Sequence, residues 1–201
     1  MTGHSRIPCA PPAQPASPSA DAKSDKLALR RTLIGVRAAI DPARKAEWDA
    51  AIGAHLVAWW RAQRLPALGV YWSLRGEADL SVAYAELAQA GVRLALPVVL
   101  ARDAALGFAD WQPGEAMLKD TMGVAVPADL RMVALPPALL VPCVGFNEDG
   151  YRLGYGGGYY DRTLEHLPRP FTLGIAYSCQ AAQFASAPHD VALDRIITEL
   201  A

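Results

Sequence analysis

The sequence predicts a single α/β domain of three layers, in which a mostly parallel, Rossmann-like sheet has helices on both faces. Three observations support this fold class. Segments with strand patterns alternate with segments of helical periodicity along the chain. The segments 139–144 and 172–177 are almost entirely apolar, as expected of strands that are buried on both faces. A chain of 201 residues is long enough to bury one large core.

The helices are predicted from apolar periodicity and from residues that favour helix ends. Leu29, Leu33 and Val36 share one face at helical spacing, which indicates the first helix. Asp41 and Pro42 open the second helix, because aspartate is a favoured N-cap and proline a favoured first helical residue. The predicted helices cover residues 25–39, 42–64, 80–90 and 159–167.

The strands are predicted from short apolar runs between these helices. They cover residues 67–72, 92–96, 139–144 and 172–177, with a short extended piece at 108–111. In open α/β sheets, ligands bind beyond the carboxyl ends of the strands. Glu77 follows the first predicted strand and the glycine-rich segment 152–162 follows the third, so we expect both at this edge of the sheet.

Residues 1–24 differ in composition from the rest of the chain. They are rich in proline, alanine and serine, and they lack the apolar periodicity that could offset the entropy of ordering a backbone. They have no long apolar core for a secretory signal and few arginines for a mitochondrial presequence. We therefore expect a disordered tail at 1–24, followed by one catalytic domain at 25–201.

The overall composition excludes several classes of partner. Nineteen lysines and arginines balance twenty aspartates and glutamates, so no general attraction to nucleic acid or anionic membranes is expected. No apolar run approaches eighteen residues, so no membrane span is predicted. Cys9, Cys143 and Cys179 lack metal-ligand spacing and form no even set, which indicates a reducing, cytoplasmic location.

The segment 152–162, RLGYGGGYYDR, carries the strongest functional signal. Glycines at a strand-to-helix junction expose backbone N–H groups, which bind anions at a helix N-terminus. Arg152 adds donors suited to phosphate oxygens, and Asp161 adds a carboxylate suited to a phosphate-bound Mg²⁺. The segment therefore predicts a metal–nucleotide site.

Two simpler interpretations of this segment remain open from the residues alone. The glycines could form only a tight connection, and Asp161 could be only an acid in the first turn of a helix, where the dipole favours it. Three consecutive glycines favour the functional interpretation, because a simple turn does not need their entropic cost. The spacing matches neither a P-loop nor the dinucleotide fingerprint.

The longer segment 140–162, LVPCVGFNEDGYRLGYGGGYYDR, resembles the signature of the 5-formyltetrahydrofolate cyclo-ligases, also called methenyltetrahydrofolate synthetases. The resemblance covers most of the chain. Further matching segments are the K-x-x-x-R motif at 26–30 and residues 71–77, 96–97, 111–114, 188–190 and 194–199.

This resemblance implies an ATP site and a magnesium site. Lys26 and Arg30 would reach the ATP phosphates from the first helix, and Asp161 would ligate Mg²⁺ with Asp190 as a second acid. Arg152, Tyr159 and Asp161 would be the catalytic residues. The segment that would cradle ATP consists of Arg152, Leu153, Gly154, Tyr155, Gly156, Gly157, Gly158, Tyr159 and Tyr160.

The resemblance also implies a folate side and a reaction. Glu77 and Trp72 would face the folate, and Trp111 would stack on it unless it is a core residue. The residues implied on the folate side are Trp72, Glu77, Trp111, Tyr155 and Tyr159. ATP would phosphorylate the formyl oxygen of 5-formyltetrahydrofolate, and N10 would then close the ring to 5,10-methenyltetrahydrofolate.

The expected partners are therefore the small molecules ATP and a reduced folate, and the expected state is a monomer. Two other classes of function remain. One is an enzyme on a related fold that binds anions without consuming ATP, such as a sugar-phosphate isomerase or a CoA transferase. The other is a nucleotide- or folate-binding protein without catalysis.

Overall fold

The computed structural model describes residues 20–74, 76–120, 123–165 and 167–200. The described residues form four α-helices, which are α1 Ala20–Ala38, α2 Pro42–Gln63, α3 Ser81–Gln89 and α4 Tyr159–Leu164. Their strands are β1 Ala67–Gly69, β2 Arg93–Val99, β3 Leu106–Trp111, β4 Met117–Lys119, β5 Ala125–Pro127, β6 Met132–Val133, β7 Ala138–Pro142, β8 Gly145–Phe146, β9 Arg152–Leu153, β10 Phe171–Ile175 and β11 Arg195–Ile197.

Seven strands form the central sheet in the order β11-β10-β7-β1-β2-β3-β6. The strands β11, β10, β7, β1 and β2 run parallel. At one edge β3 runs antiparallel to β2, and β6 runs antiparallel to β3. The prediction of an α/β domain with a mostly parallel sheet is confirmed. The smaller ladders β4–β5 and β8–β9 are antiparallel hairpins outside this sheet.

Helices cover both faces of the sheet, as predicted. Leu139 and Leu140 are neighbours on β7, so their side chains point to opposite faces. Leu140 belongs to the cluster that contains Ile52 of α2 and Leu87 of α3. Leu139 belongs to a second cluster with Leu164 of α4.

The helix α1 packs beside the strand ends instead of on the sheet face. Leu33 of α1 forms a separate buried cluster with Val144, which precedes β8, and Leu153 of β9. This cluster fixes the helix that carries Lys26 and Arg30 next to the glycine-rich segment.

Several boundaries differ from the predictions. The helix α1 begins at Ala20, before the predicted start at residue 25. Most of the predicted tail, residues 1–19, lies outside the described residues. The helix α4 has six residues and ends at Leu164, whereas a helix to residue 167 was predicted. Pro168 disfavours helical geometry at Leu167, the last residue of the predicted helix.

Candidate active site

The candidate site lies where the chain leaves two adjacent parallel strands, β1 and β7. The strand order runs from β1 to one edge through β2 and from β7 to the other edge through β10, so the two strands flank the point where the topology reverses. The loop after β1 contains Glu77, and the chain after β7 leads to the glycine-rich segment. The Tyr155 hydroxyl donates to Glu77 Oε1 at 2.7 Å. The expectation that both loops meet at one edge of the sheet is confirmed.

The glycine-rich segment adopts conformations that ordinary residues rarely take. Gly156 has a φ of +96° and Gly158 a φ of +66°, both in the left-handed region. Gly154 does not have a positive φ, and a Cβ built there meets no described atom within 4 Å. The segment therefore uses glycine for backbone shape at two positions and leaves open space beside a third.

Two arginines hold the carbonyl groups of this segment. Arg30 Nε donates to the Gly154 carbonyl at 2.7 Å, and Arg162 Nη2 donates to the Gly157 carbonyl at 2.5 Å. The Arg162 guanidinium also lies 5.3 Å from the centre of the Tyr159 ring. These two contacts satisfy two carbonyl oxygens of the segment and place two guanidinium groups beside it.

Arg152 and Asp161 form a partly buried ion pair, with 2.8 Å between Arg152 Nη2 and Asp161 Oδ1. The Arg152 side chain is only 5% exposed. The backbone of Val191 joins both residues, because its carbonyl accepts from Arg152 Nη1 and its N–H donates to Asp161 Oδ1. Asp161 thus balances the buried charge of Arg152. Its role is therefore larger than the favourable interaction of an acid with the dipole in the first turn of α4.

Lys26 and Asp190 form the second ion pair, with 2.7 Å between Lys26 Nζ and Asp190 Oδ2. The N–H of Ala187 donates to the same carboxylate oxygen. Burial by itself raises the pKa of Asp190, but the hydrogen bonds from Lys26 and Ala187 outweigh it and hold the pKa below its ordinary value. Asp190 is therefore a charged partner of Lys26 at neutral pH.

On the other side of Tyr155, Glu77 and Arg37 form a buried polar group. Glu77 is 5% exposed, and its Oε2 accepts from the backbone N–H of Leu74 at 2.8 Å. Arg37 is 2% exposed, and its Nη2 donates to the Tyr155 hydroxyl at 2.7 Å. Burial, followed by the negative charge of Glu77, raises the pKa of Tyr155 to about 12, so this hydroxyl keeps its proton at neutral pH.

Arg37 was missed by the sequence analysis. Its signal was its spacing, since it follows Lys26 by 11 residues, which is about three helical turns and places both on one face of α1. Arg30 lies on the same face between them. One helix thus carries three cations toward Asp190, the glycine-rich segment and Tyr155.

Two tryptophans lie beside this group. Trp72 is 38% exposed, and its ring meets the ring of Trp111 edge to face with 6.2 Å between the centroids. Trp111 is buried in the main core and also contacts the ring of Tyr84. Trp72 is thus partly exposed to solvent, whereas Trp111 is buried and packs against the Trp72 ring.

Comparison with known proteins decides the family. The sequence model of the 5-formyltetrahydrofolate cyclo-ligase family matches residues 22–199. The chain belongs to this family. It is 32% identical over 178 residues to a 5-formyltetrahydrofolate cyclo-ligase of Mycoplasma pneumoniae, covering 87% of this chain and 99% of the relative. A cyclo-ligase of Escherichia coli K12 is 34% identical over 140 residues, covering 65% of this chain and 76% of the relative.

Solved structures of the family share the fold. The 5,10-methenyltetrahydrofolate synthetase from Mycoplasma pneumoniae superposes with a TM-score of 0.74 at 31% identity, covering 87% of this chain and 99% of that chain. The Aquifex aeolicus 5,10-methenyltetrahydrofolate synthetase superposes with a TM-score of 0.75 at 25% identity, covering 87% and 89%.

The predicted metal ligands of this family member do not form a closed metal centre. Within the described ranges, no group of three or more histidine, cysteine, aspartate or glutamate residues could hold a metal ion. Asp161 and Asp190 each bond to a cation instead. Mg²⁺ commonly keeps only one or two protein carboxylates and takes its other ligands from substrate phosphates and water. The donor set fits a metal that arrives with a phosphate ligand.

Two residues of the predicted ATP segment have limited reach. Leu153 is buried against Leu33 and Val144, and its carbonyl accepts from the Val144 N–H. Tyr160 is partly buried against the core, with the Arg152 guanidinium 5.9 Å from its ring centre. Their predicted contacts with ATP remain predictions.

None of the helices in the part of the chain that the structure describes is long and apolar enough to cross a membrane.

Proposed function

We propose that the protein is an ATP-dependent 5-formyltetrahydrofolate cyclo-ligase, which forms 5,10-methenyltetrahydrofolate, ADP and phosphate. The hydrogen bond between Tyr155 and Glu77 is the observation that carries this proposal. It joins a glycine-rich segment surrounded by cations to a buried carboxylate beside an exposed tryptophan, at the ligand-binding edge of the sheet. A charged nucleotide and a flat heterocycle can therefore meet at one place.

The ATP side of the proposed site comprises Lys26, Arg30 and Arg152 around the glycine-rich segment. Lys26 and Arg152 have carboxylate partners at 2.7 and 2.8 Å, and phosphate oxygens would compete with these carboxylates for the same donors. The open space beside Gly154 lets a ligand approach the backbone closely. These features support binding of the ATP phosphates here, with Gly156, Gly157 and Gly158 shaping the segment.

The folate side comprises Trp72, Glu77, Tyr155 and Tyr159. The open ring of Trp72 suits stacking on a pterin, and the Glu77 carboxylate suits the donor groups on a pterin's amino edge. Trp111 acts on the folate through Trp72, because its own ring is buried.

The chemistry proceeds in two steps. The formyl oxygen attacks the γ-phosphorus of ATP, the bond from this phosphorus to the bridging oxygen breaks, and ADP leaves. N10 then attacks the activated formyl carbon and loses its proton, and phosphate leaves with the formyl oxygen. The protein aligns the two substrates, and its cations stabilise charge on the transferred group.

We propose Mg²⁺ as the metal that accompanies ATP, with Asp161 as its candidate protein ligand and Asp190 as a weaker one. When bound, Mg²⁺ neutralises charge on the phosphate oxygens. We further propose a cytoplasmic monomer. Cys143 and Cys179 are free thiols, which suits a reducing compartment.

One assay tests the function. Purified protein is mixed with ATP, Mg²⁺ and 5-formyltetrahydrofolate, and methenyl absorbance and ADP are followed together. We expect one ADP for each methenyl product, and no product without ATP or without Mg²⁺. Product without ATP would contradict the ligase reaction, whereas ADP release without folate would indicate a plain ATPase. An isomerase or a CoA transferase would consume no ATP.

A further inference from the structure

Arg37 is a buried cation that the proposed reaction does not use directly. It lies in the last turn of α1, and the residue is only 2% exposed. A charge removed from water in this way is strongly unfavourable unless hydrogen-bonding partners compensate it. The retained charge therefore requires a specific partner set, and Tyr155 is one of its members.

The three side chains Arg37, Tyr155 and Glu77 form a directed chain of hydrogen bonds. Arginine can only donate, so the Tyr155 oxygen accepts from Arg37 Nη2 at 2.7 Å. The Tyr155 oxygen carries one proton, and this hydroxyl donates to Glu77 Oε1, also at 2.7 Å. The second oxygen, Oε2, accepts from the Leu74 N–H. Both oxygens of Glu77 are thereby fixed in space.

We propose that Arg37 is a positioning residue for the folate side of the site. By donating to Tyr155, it directs the tyrosine proton to Glu77 and fixes the orientation of this carboxylate. The inference rests on the proposed function, because Glu77 is the residue proposed to bond the pterin. Arg37 itself does not contact the folate and acts through Tyr155.

The geometry of α1 separates this role from ATP binding. Lys26 and Arg30 lie on earlier turns of the helix and contact Asp190 and the Gly154 carbonyl. Replacement of Arg37 leaves both contacts in place. Loss of Arg37 should therefore weaken folate binding selectively, whereas a general loss of structure would weaken the binding of both substrates.

The test combines Arg37→Met, which keeps the length of the side chain without its charge, with Tyr155→Phe, which removes only the hydroxyl. We expect each variant to raise the KM for 5-formyltetrahydrofolate about tenfold and to change the KM for ATP by less than about twofold. The folate KM of the double variant should not exceed the higher of the two single-variant values, because both changes break the same chain of hydrogen bonds. Arg37→Lys should restore part of the folate affinity.

Arg31→Met is the matched control, because Arg31 is an exposed arginine on the same helix. It should leave both KM values unchanged. The dissociation constant for the folate, measured by quenching of tryptophan fluorescence, should follow the KM in every variant. This binding measurement tests the role of Arg37 even if the wild-type protein shows no turnover, an outcome that would refute the proposed function separately.

Two results would overturn the inference. One is a folded Arg37→Met variant, with a wild-type circular dichroism spectrum, whose affinity for the folate is unchanged. The other is a pair of single variants whose effects multiply in the double variant. If Arg37→Met does not fold, Arg37→Lys decides in two backgrounds. It should weaken folate binding in the wild-type background but not in the Tyr155→Phe background, because the contact between residues 37 and 155 is already lost there. An equal effect in both backgrounds would overturn the inference.

Discussion

Lys26 Nζ lies 2.7 Å from Asp190 Oδ2, although the two residues are 164 positions apart in the chain. This contact ties the first helix to the segment that precedes the last strand. The ion pair of Arg152 and Asp161 contacts the backbone of Val191, the residue that follows Asp190 in the chain. Two cations proposed to bind phosphate thus each have a carboxylate partner, with which a nucleotide must compete.

The pair of Lys26 and Asp190 predicts unequal effects of its two members on ATP binding. Lys26→Met should raise the KM for ATP by tenfold to about a hundredfold, because a hydrogen bond to a charged group contributes roughly 1.5–3 kcal/mol. Asp190→Asn should change this KM by less than about threefold, because Lys26 keeps its charge. Steady-state kinetics at saturating folate measures both.

Lys45→Met is the control for these variants, because Lys45 forms a similar pair with Asp49 on α2 and should leave the kinetics unchanged. The Mg²⁺ concentration needed for half-maximal rate separates two roles of Asp190. If this Mg²⁺ concentration is the same in Asp190→Asn as in wild type, Asp190 serves only as the partner of Lys26. A large increase would instead indicate a metal ligand.

The lowered pKa of Asp190 predicts the pH dependence of stability. A carboxyl whose pKa is lower in the folded state than in the unfolded state stabilises the fold at every pH above its unfolded value, near 4. That stabilisation is lost as the pH falls through the lowered folded value. The difference in the free energy of unfolding between wild type and Asp190→Asn should be larger at about pH 5 than below about pH 4, where it should shrink. Urea unfolding at several pH values measures it, and a difference that grows toward low pH would contradict the assignment.

Asp161→Asn should impair catalysis more than stability. The amide can still accept a hydrogen bond from Arg152, but it no longer balances the charge of that buried side chain. We expect a loss of about 1–2 kcal/mol in the free energy of unfolding. If Asp161 also contacts the phosphate-bound metal, kcat should fall about a hundredfold and the Mg²⁺ requirement should rise.

Asp194→Asn is the matched control for Asp161→Asn. Asp194 is also a partly buried carboxylate paired with an arginine, since Arg169 Nη2 lies 3.2 Å from its Oδ2. It should lower stability without changing the kinetics of the folded enzyme. A normal rate and normal Mg²⁺ dependence in Asp161→Asn would restrict Asp161 to its pairing with Arg152.

The sequence was sufficient for the main layers of the fold because long elements have strong periodic signals. Strands as short as β8 and β9 were not predicted, since two residues carry no periodicity. The antiparallel direction of β3 was also beyond the sequence, because strand direction depends on the connection and on tertiary pairing.

The site shows the same division between local and distant information. The glycine-rich segment and Arg152 were recognised because their residues are contiguous. Arg37 was missed because a charged residue in a helical pattern is usually solvated, and its partner Tyr155 is 118 residues away in the chain. The pairing of Asp190 with Lys26 was missed for the same reason.

Deletion of the N-terminal residues tests the predicted tail. Removal of residues 1–19 should leave activity and Tm nearly unchanged, because α1 begins at Ala20 and the deleted segment has little apolar surface to bury. Removal of residues 1–30 should abolish activity, because it takes Lys26 and Arg30 away. Inactivation by the shorter deletion would place part of the tail in the site.

Alanine substitutions at two glycines distinguish a ligand-binding segment from a tight connection. Gly156→Ala should lower stability by about 1 kcal/mol or more, because a φ of +96° strains a residue with a Cβ. Gly154→Ala should leave Tm unchanged, because its Cβ meets no described atom within 4 Å and its φ is not positive. The same Cβ would occupy the space through which phosphate approaches the backbone, so the KM for ATP should rise at least tenfold.

Gly35→Ala is the control. A Cβ at this position also meets no described atom within 4 Å, but the residue lies on α1, where alanine favours the helix by about 0.5–1 kcal/mol. An unchanged KM for ATP in Gly154→Ala would mean that phosphate does not approach the backbone at Gly154, and would favour a simple strand-to-helix connection there.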